Sequence, residues 1–256
     1  MPRGSMIASV GLLLCLTAAA QKPTPDEQKR ILDGAREIAI HYASKLPDFI
    51  CNEEVERTDR AGSRVQVDRL TIQLSYFGQK EKQKLVAMNG GPATQPLESL
   101  EGLITGGEFG GLQLGVFDPA SAAAFQWKSS AEIHKRRAAV YSYRIARAKS
   151  HYLVGYRGAD GKLVSAAAGY HGEVALDVET NRVLRLTASA DDTPKESGIT
   201  QSSVAVDYDF IAVAGKNYLL PSRSVSSMER TYRKIGNVVS FVGYKKFEAD
   251  SSVSFK

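Results

Sequence analysis

Four histidines, two cysteines and a few pairs of carboxylates are the residues of this 256-residue chain with the widest chemical repertoire. His171 and Glu173 are two apart on a strand-like stretch. They share one face and could pass a proton or hold a metal ion, provided that further partners converge there. On a polar strand face such a pair is more often simply hydrated. His41, His134 and His151 lie far apart in the sequence, and no H-E-x-x-H pair occurs. Nor does a G-x-S-x-G elbow. Asp191-Asp192 falls in a polar segment with Thr193-Pro194 that reads as a loop. Asp207 and Asp209 share a face but have no identifiable acid–base partner. The glycines of GGEFGGLQLG, Gly106 onward, match neither G-x-G-x-x-G nor a glycine loop ending in Lys-Ser/Thr, so a lid or loop over the sheet is expected rather than a phosphate cradle. These residues predict no catalytic group, metal ligand or cofactor, and the protein reads as non-enzymatic.

The ends and the charge narrow the class further. In residues 1–20, Arg3 is the only charge, Ile7 to Leu16 form a short apolar run, and Ala18-Ala19-Ala20 supplies small residues before Gln21. This is the pattern of a cleavable secretory signal, too short in its apolar part to span a bilayer comfortably. A single domain over 21–256 is expected, periplasmic or secreted. An acylated Cys15 would want a small residue before it, and Leu14 is not small. An uncleaved membrane tether is the bland alternative, and the opening MPRGS could be vector-derived, with Met6 the native start. Beyond residue 20, 32 basic residues face 28 acidic ones, net +4. The basic run His134-Lys135-Arg136-Arg137 and the later Arg144, Arg147 and Lys149 interleave with Tyr141 and Tyr143, yet they read as a charged turn and a solvated strand face. No nucleic-acid partner is expected. Peripheral contact with an anionic membrane suits the same charge better. Past the leader Cys51 is the only cysteine; it sits beside Phe49 and Ile50 and reads as a small buried hydrophobe.

Which elements would position a site? Thr24-Pro25-Asp26-Glu27 fits a capping box, and Ile31, Leu32, Ala35, Ile38, Ala39 and Tyr42 recur at helical spacing until Leu46-Pro47. The sequence predicts one N-terminal helix whose apolar stripe needs a partner. Strands follow at Phe49–Thr58, Val65–Phe77 and, after a charged turn at Gln79–Lys82, Lys84–Met88. Residues 90–124 form a loop-rich passage with a short helix near Glu108–Phe117 and a turn at Asp118-Pro119. Strands resume at Phe125–Ile133, Ala138–Arg147 and His151–Tyr156, with a hairpin turn at Gly158–Gly161. In GYHGEVALDVETNRVLRLTAS, Val174, Leu176 and Val178 oppose Glu173, Ala175, Asp177 and Glu179. After a turn at Glu179-Thr180-Asn181, Leu184, Leu186 and Ala188 oppose Val183, Arg185, Thr187 and Ser189. Val204, Val206, Tyr208 and Phe210 continue the alternation, and Tyr218–Met228 and Val238–Glu248 complete it. The fold class is mainly β (α+β): a single large curved antiparallel sheet or incomplete β-barrel of about ten or eleven strands, with an N-terminal helix and a short helical or loop lid. A one-residue slip would turn every aliphatic outward, so the register is strongly specified.

The run Tyr170 to Leu186, an aromatic, a glycine, a short strand, Asp177, Thr180 and Val183-Leu184-Arg185-Leu186, resembles the strand–turn–strand of the lipoprotein-carrier-like superfamily. That superfamily holds periplasmic outer-membrane lipoprotein carriers and stress-response sensors. The resemblance implies an incomplete β-barrel with helices on its concave side. It is specific over about twenty residues and says more of fold than of function. The stretches LPDFICNEEVERT, GGEFGGLQLGVF and VGYKKFEADSSVSF also resemble exported proteins of soil bacteria. The chain is longer than a minimal carrier, the extra length falling in Gly90–Ala124, and no carrier site residue maps onto a matched position.

Two functions follow. In the first, Val174, Leu176, Val178, Leu184, Leu186, Val204, Val206, Tyr208 and Phe210 line an apolar groove on the concave face that binds an acyl chain, a lipid or a lipidated peptide. In the second, the same residues form a closed core, and the protein is an interaction or sensor module with an envelope-protein partner. Core and groove demand identical side chains, so only cavity volume separates them.

Overall fold

Thr24 caps helix α1 (Pro25–Ile40): its Oγ1 accepts from the Glu27 N–H at 3.3 Å, and the Glu27 carboxylate accepts from the Thr24 N–H at 2.8 Å. Ile31, Ala35 and Ala39 form its buried stripe. The helix stops at His41, before the expected Leu46-Pro47, and a separate turn α2 (Tyr42–Lys45) carries the chain on. Tyr42 turns inward there, its hydroxyl donating to the Leu219 carbonyl at 2.8 Å. The computed structural model describes residues 22–103 and 106–247; the leader expected over residues 1–20, with Cys15, lies outside the described residues.

The strands are β1 (Phe49–Ala61), β2 (Arg64–Phe77), β3 (Lys80–Met88), β4 (Gly91–Pro92), β5 (Gly102–Leu103), β6 (Ala124–Ile133), β7 (Arg136–Ile145), β8 (Leu153–Arg157), β9 (Leu163–Ala167), β10 (Tyr170–Asp177), β11 (Val183–Ala190), β12 (Ile199–Val213), β13 (Lys216–Arg230) and β14 (Arg233–Lys246). Eleven of them make one sheet in the order β4-β3-β2-β1-β14-β13-β12-β11-β10-β7-β6, open between its edges, and β5-β8-β9 form a second, small sheet. The mainly β expectation of one large open antiparallel sheet holds, with β5, β8 and β9 set apart from it. Lys80–Lys82, expected in a turn, belong to β3; the turn is Gly78-Gln79, both left-handed at φ 54° and 62°. The helix expected near Glu108–Phe117 is α3 (Gly111–Phe117), with Glu108-Phe109 in the turn before it.

Register explains where the core sits. One inner row crosses ten strands as Trp127, Tyr141, Val174, Leu186, Val206, Ser224, Val239, Val55, Leu70 and Met88. Only Ser224 in it is polar. The next row reads Ala188, Val204, Ser226, Asn237, Arg57 and Asp68, and turns polar at β13. The inner face is therefore apolar over β10–β12 and mixed over β13, β14, β1 and β2. Helices α1 and α3 cover the first part. Phe109 plugs the second, within 5.3–6.1 Å of Phe49, Tyr76 and Phe241, centroid to centroid.

The hairpin β10–β11 departs from simple alternation. A bulge on β11, where Leu184 is the extra residue between the Ala175–Arg185 and Leu176–Val183 pairs, sets Val183 opposite the inward Leu176 and buries it, although the alternation places it on the outer face. Ala175, also expected on the outer face, is buried on a stretch of β10 that pairs with β7 without a break. Asp177 is also buried. Its carboxylate accepts from the Glu179 N–H (3.0 Å), Thr180 Oγ1 (2.9 Å) and Arg136 Nε (2.6 Å). Burial alone would raise this carboxyl, yet those donors hold it below its ordinary range. Asn181 at φ 56° completes the turn, a conformation asparagine tolerates better than most residues.

Candidate functional site

The nine residues expected to line a groove are in one place, but the place is filled. Val174, Leu176, Leu184, Leu186, Val206 and Tyr208 are at most 1% exposed; Val204 is buried, and Val178 and Phe210 are half-buried. They pack in the core that includes Ile31, Ala35, Ala39 and Tyr42 on the helices before β1 and Leu112, Val116 and Phe117 on α3. The Tyr208 hydroxyl donates to the Glu108 carbonyl at 2.9 Å, and the Arg136 guanidinium sits 4.9 Å over the Phe210 ring. Among the nine, Val204 lines a void of about 40 Å³, room for a water or so. The apolar groove expected on β10–β12 is thus corrected to a packed core. Helices with a matching stripe occupy it.

The open space lies on the other half of the inner face. A cavity of about 420 Å³ is bounded by β1, β2, β3 and β14 and by the segment 97–103 that passes over them. Val55, Ile72 and Val239 on the strands face Leu97, Leu100 and Leu103 on the segment; Glu53, Gln83, Arg57 and Asn237 supply polar walls. The segment is strapped down. Arg57 Nη1 donates to the Glu101 carbonyl at 2.7 Å, and Arg233 reaches the Glu101 carboxylate while its Nε donates to Asp59 Oδ1 at 2.9 Å. Gly102 (φ 137°) lies against Arg57, where a Cβ would stand 3.1 Å from the guanidinium.

Charge within this half is unevenly compensated. Glu53 is 6% exposed and accepts from Gln83 Nε2 at 2.9 and 3.0 Å. Burial pushes its carboxyl up to about 7 against those bonds, and Glu108 and Glu81 add repulsion. Burial and Glu108 likewise bring Glu81 to about 7. Glu81 is solvent-exposed, however, and water screens it, so the pH dependence rests on Glu53. Glu108, buried beside Ser224, is raised too, by burial foremost. Burial lowers Arg57, with Asp68 and Asp59 opposing. Cys51, on the same strand, is buried as expected, its thiol pushed up to about 12 by burial and then Glu53. It is a poor nucleophile there.

Stability should follow pH through Glu53. Unfolded, the carboxyl titrates near 4.5; folded, near 7. Between these values the folded state holds more protons. The contribution is therefore complete below about pH 4.5 and lost as pH rises through about 7, on the order of 3 kcal/mol in all. Urea midpoints of the parent should fall from pH 5 to pH 8, and those of Glu53→Gln should fall less and lie higher at pH 8. Parallel curves would mean that Glu53 is already ionised at pH 5.

The sequence-level candidates for chemistry are dispersed. His171 Nδ1 is 2.5 Å from Asp191 Oδ1, whose other oxygen meets Arg144 at 2.8 Å, while Glu173 pairs with Lys128 instead. His171, Arg144 and Glu173 line an open outer trough of about 530 Å³ together with Gln126, Ser142 and Thr187. Asp192 accepts from the Gly169 N–H at 2.7 Å; Asp207 pairs with Arg185 and Asp209 with His134. His134-Lys135 form the left-handed turn between β6 and β7, so the basic run is a charged turn whose Arg136 is spent on Asp177. Among the described residues no group of three His, Cys, Asp or Glu side chains is placed to hold a metal ion.

Glu53, Arg57 and Asn237 were not singled out from the sequence, although a signal existed. Phe49, Cys51, Glu53, Val55 and Arg57 are two apart, and so are Asn237, Val239 and Phe241, which puts polar residues in phase with the inner face.

No family model matches the chain, and no curated protein matches it. Solved structures do. A LolA superfamily protein from Nitrosomonas europaea is 11% identical, covering 89% of this chain and 97% of that one at a TM-score of 0.39. The superfamily that the hairpin resembles is represented among them. A DUF1329 family protein from Desulfovibrio piger (11%, covering 88% and 94%, TM-score 0.40) and an outer-membrane lipoprotein-sorting domain from Vibrio parahaemolyticus (10%, 88% and 94%, TM-score 0.40) are similar at the same level. At these scores the likeness carries no weight for ligand or activity, which rest on the cavity.

Proposed function

We propose that this is an exported, non-enzymatic binding protein that holds a small amphipathic ligand between the inner face of β1, β2, β3 and β14 and the strap at residues 97–103. One observation carries the reading: the cavity of about 420 Å³ falls within the ~300–1,000 Å³ of small-molecule sites, and its walls set aliphatic side chains beside charged and polar ones, Glu81, Lys82, Glu98 and Arg157 among them. The export part rests on the leader pattern of residues 1–20.

Titration with Nile red, a neutral apolar probe, tests the reading. The parent should bind it, and Leu97→Trp, which puts an indole into the cavity from the half-exposed strap, should weaken binding tenfold or more at an unchanged urea midpoint. Binding that survives Leu97→Trp, or none by the parent, would favour the interaction-module reading. That reading keeps one observation of its own, the polar outer trough around His171, Arg144 and Glu173.

A further inference from the structure

Three neighbours in one inner row, Arg57 on β1, Asn237 on β14 and Ser226 on β13, each hold a buried polar atom with no hydrogen-bond partner: Nε, Oδ1 and Oγ. Asn237 is only 4% exposed and Ser226 3%. Unsatisfied groups of this kind are costly, and of the nine such atoms among the described residues these three are neighbours in one row. Arg57 adds a charge. Among the described residues its guanidinium makes no ion pair; Nη1 is bonded to a neutral carbonyl, and burial disfavours the cation. Two of the three, Arg57 and Asn237, line the 420 Å³ cavity. Beyond them along the strands the wall is Val55, Ile72 and Val239. Glu53 closes the far end, four residues or roughly 13 Å along β1 from Arg57.

We infer that Arg57 and Asn237 of this row form the head-group site of the cavity, and that its ligand is a carboxylate-headed aliphatic chain. The carboxylate accepts from the Arg57 guanidinium and from the Asn237 amide turned to present its NH₂, which gives the arginine a contact ion pair where Asp68 and Asp59 act only from a distance, and the aliphatic body lies over Val55, Ile72 and Val239. The acidic end does not select a cation: Gln83 Nε2 reaches both oxygens of Glu53, and burial raises that carboxyl to about 7, where it can shed its charge, whereas the arginine stays a cation. The inference rests on the binding reading above and adds to it the sign of the head group.

Calorimetric titration with decanoate, decanol and decylamine, each below its micelle-forming concentration, tests it. The chains are alike and only the head differs. The intact protein should bind decanoate about tenfold or more tighter than decanol, the usual gain from charge-assisted bonds, and decylamine weakest. Arg57→Gln should abolish the preference for decanoate and leave decanol binding in place. Asn237→Asp, which keeps Arg57 and its hold on the strap, should weaken decanoate selectively. Equal affinity for decanoate and decanol would overturn the inference, the row then being satisfied by water, while leaving the cavity reading intact. Tightest binding of decylamine would overturn it in favour of the carboxylates. Binding of none of the three would remove both readings.

Discussion

Replacing Gly172 by alanine is expected to cost about 4 kcal/mol or more, enough to leave a domain of ordinary stability largely unfolded. Gly172 on β10 lies opposite Tyr143 on β7, and the Tyr143 hydroxyl crosses over it to donate to the Thr187 carbonyl on β11 at 2.6 Å. A Cβ at Gly172 would overlap the Thr187 carbonyl oxygen outright and stand 3.0 Å from the Tyr143 hydroxyl. Overpacking costs ~1–3 kcal/mol where side chains can yield. Here the obstacle is backbone, and the Glu173 N–H is bonded to Thr187 Oγ1 at 2.9 Å, which resists any separation of the strands. Gly111→Ala is the control: it meets nothing within 4 Å, so its urea midpoint should match the parent's or rise slightly. A parent-like midpoint for Gly172→Ala would mean that the Thr187 carbonyl does not press on Gly172 there.

Leu176→Ala is expected to destabilise by ~4 kcal/mol, in the upper half of the ~2–5 range for buried leucines. The side chain is fully buried in the core under α1 and α3, and neighbours pinned on a sheet collapse poorly into the space left. Leu176→Trp should cost ~1–3 kcal/mol or more for lack of room. An open groove on this face would give the opposite pattern, a small loss for alanine and almost none for tryptophan. Chemical denaturation of both variants therefore decides whether this half of the inner face is core. A loss below ~1 kcal/mol for each would restore the groove and contradict the packing.

The pattern of the resembling hairpin now has physical content. Gly172 makes room for the Tyr143 crossing, Asp177 gathers the turn's donors, and Asn181 takes the left-handed position. Each is required by local backbone geometry, which is why these residues were legible as a motif. Val183 was not legible, because a bulge on β11 shifts its phase and no residue type announces it.

Composition and periodicity by themselves determined the N-terminal capping box, the order of most strands, the mainly β class and the inward direction of Leu176, Leu186 and Val206. These depend on residues two to four apart, and such spacing is written in the chain. Whether an inward face is core or cavity depends on what lies on it from elsewhere, and only the tertiary structure decided that. The helix stripe at Ile31, Ala35 and Ala39 meets β10–β12 and fills that face. Residues 97–103 span β1 and β14 without filling the space beneath. Arg57, Asn237 and Ser226 became a row only through pairing across three strands, with some 170 residues of sequence between the first and the others. An unmet hydrogen bond is a property of the assembled neighbourhood, and it is invisible until each possible partner has a position.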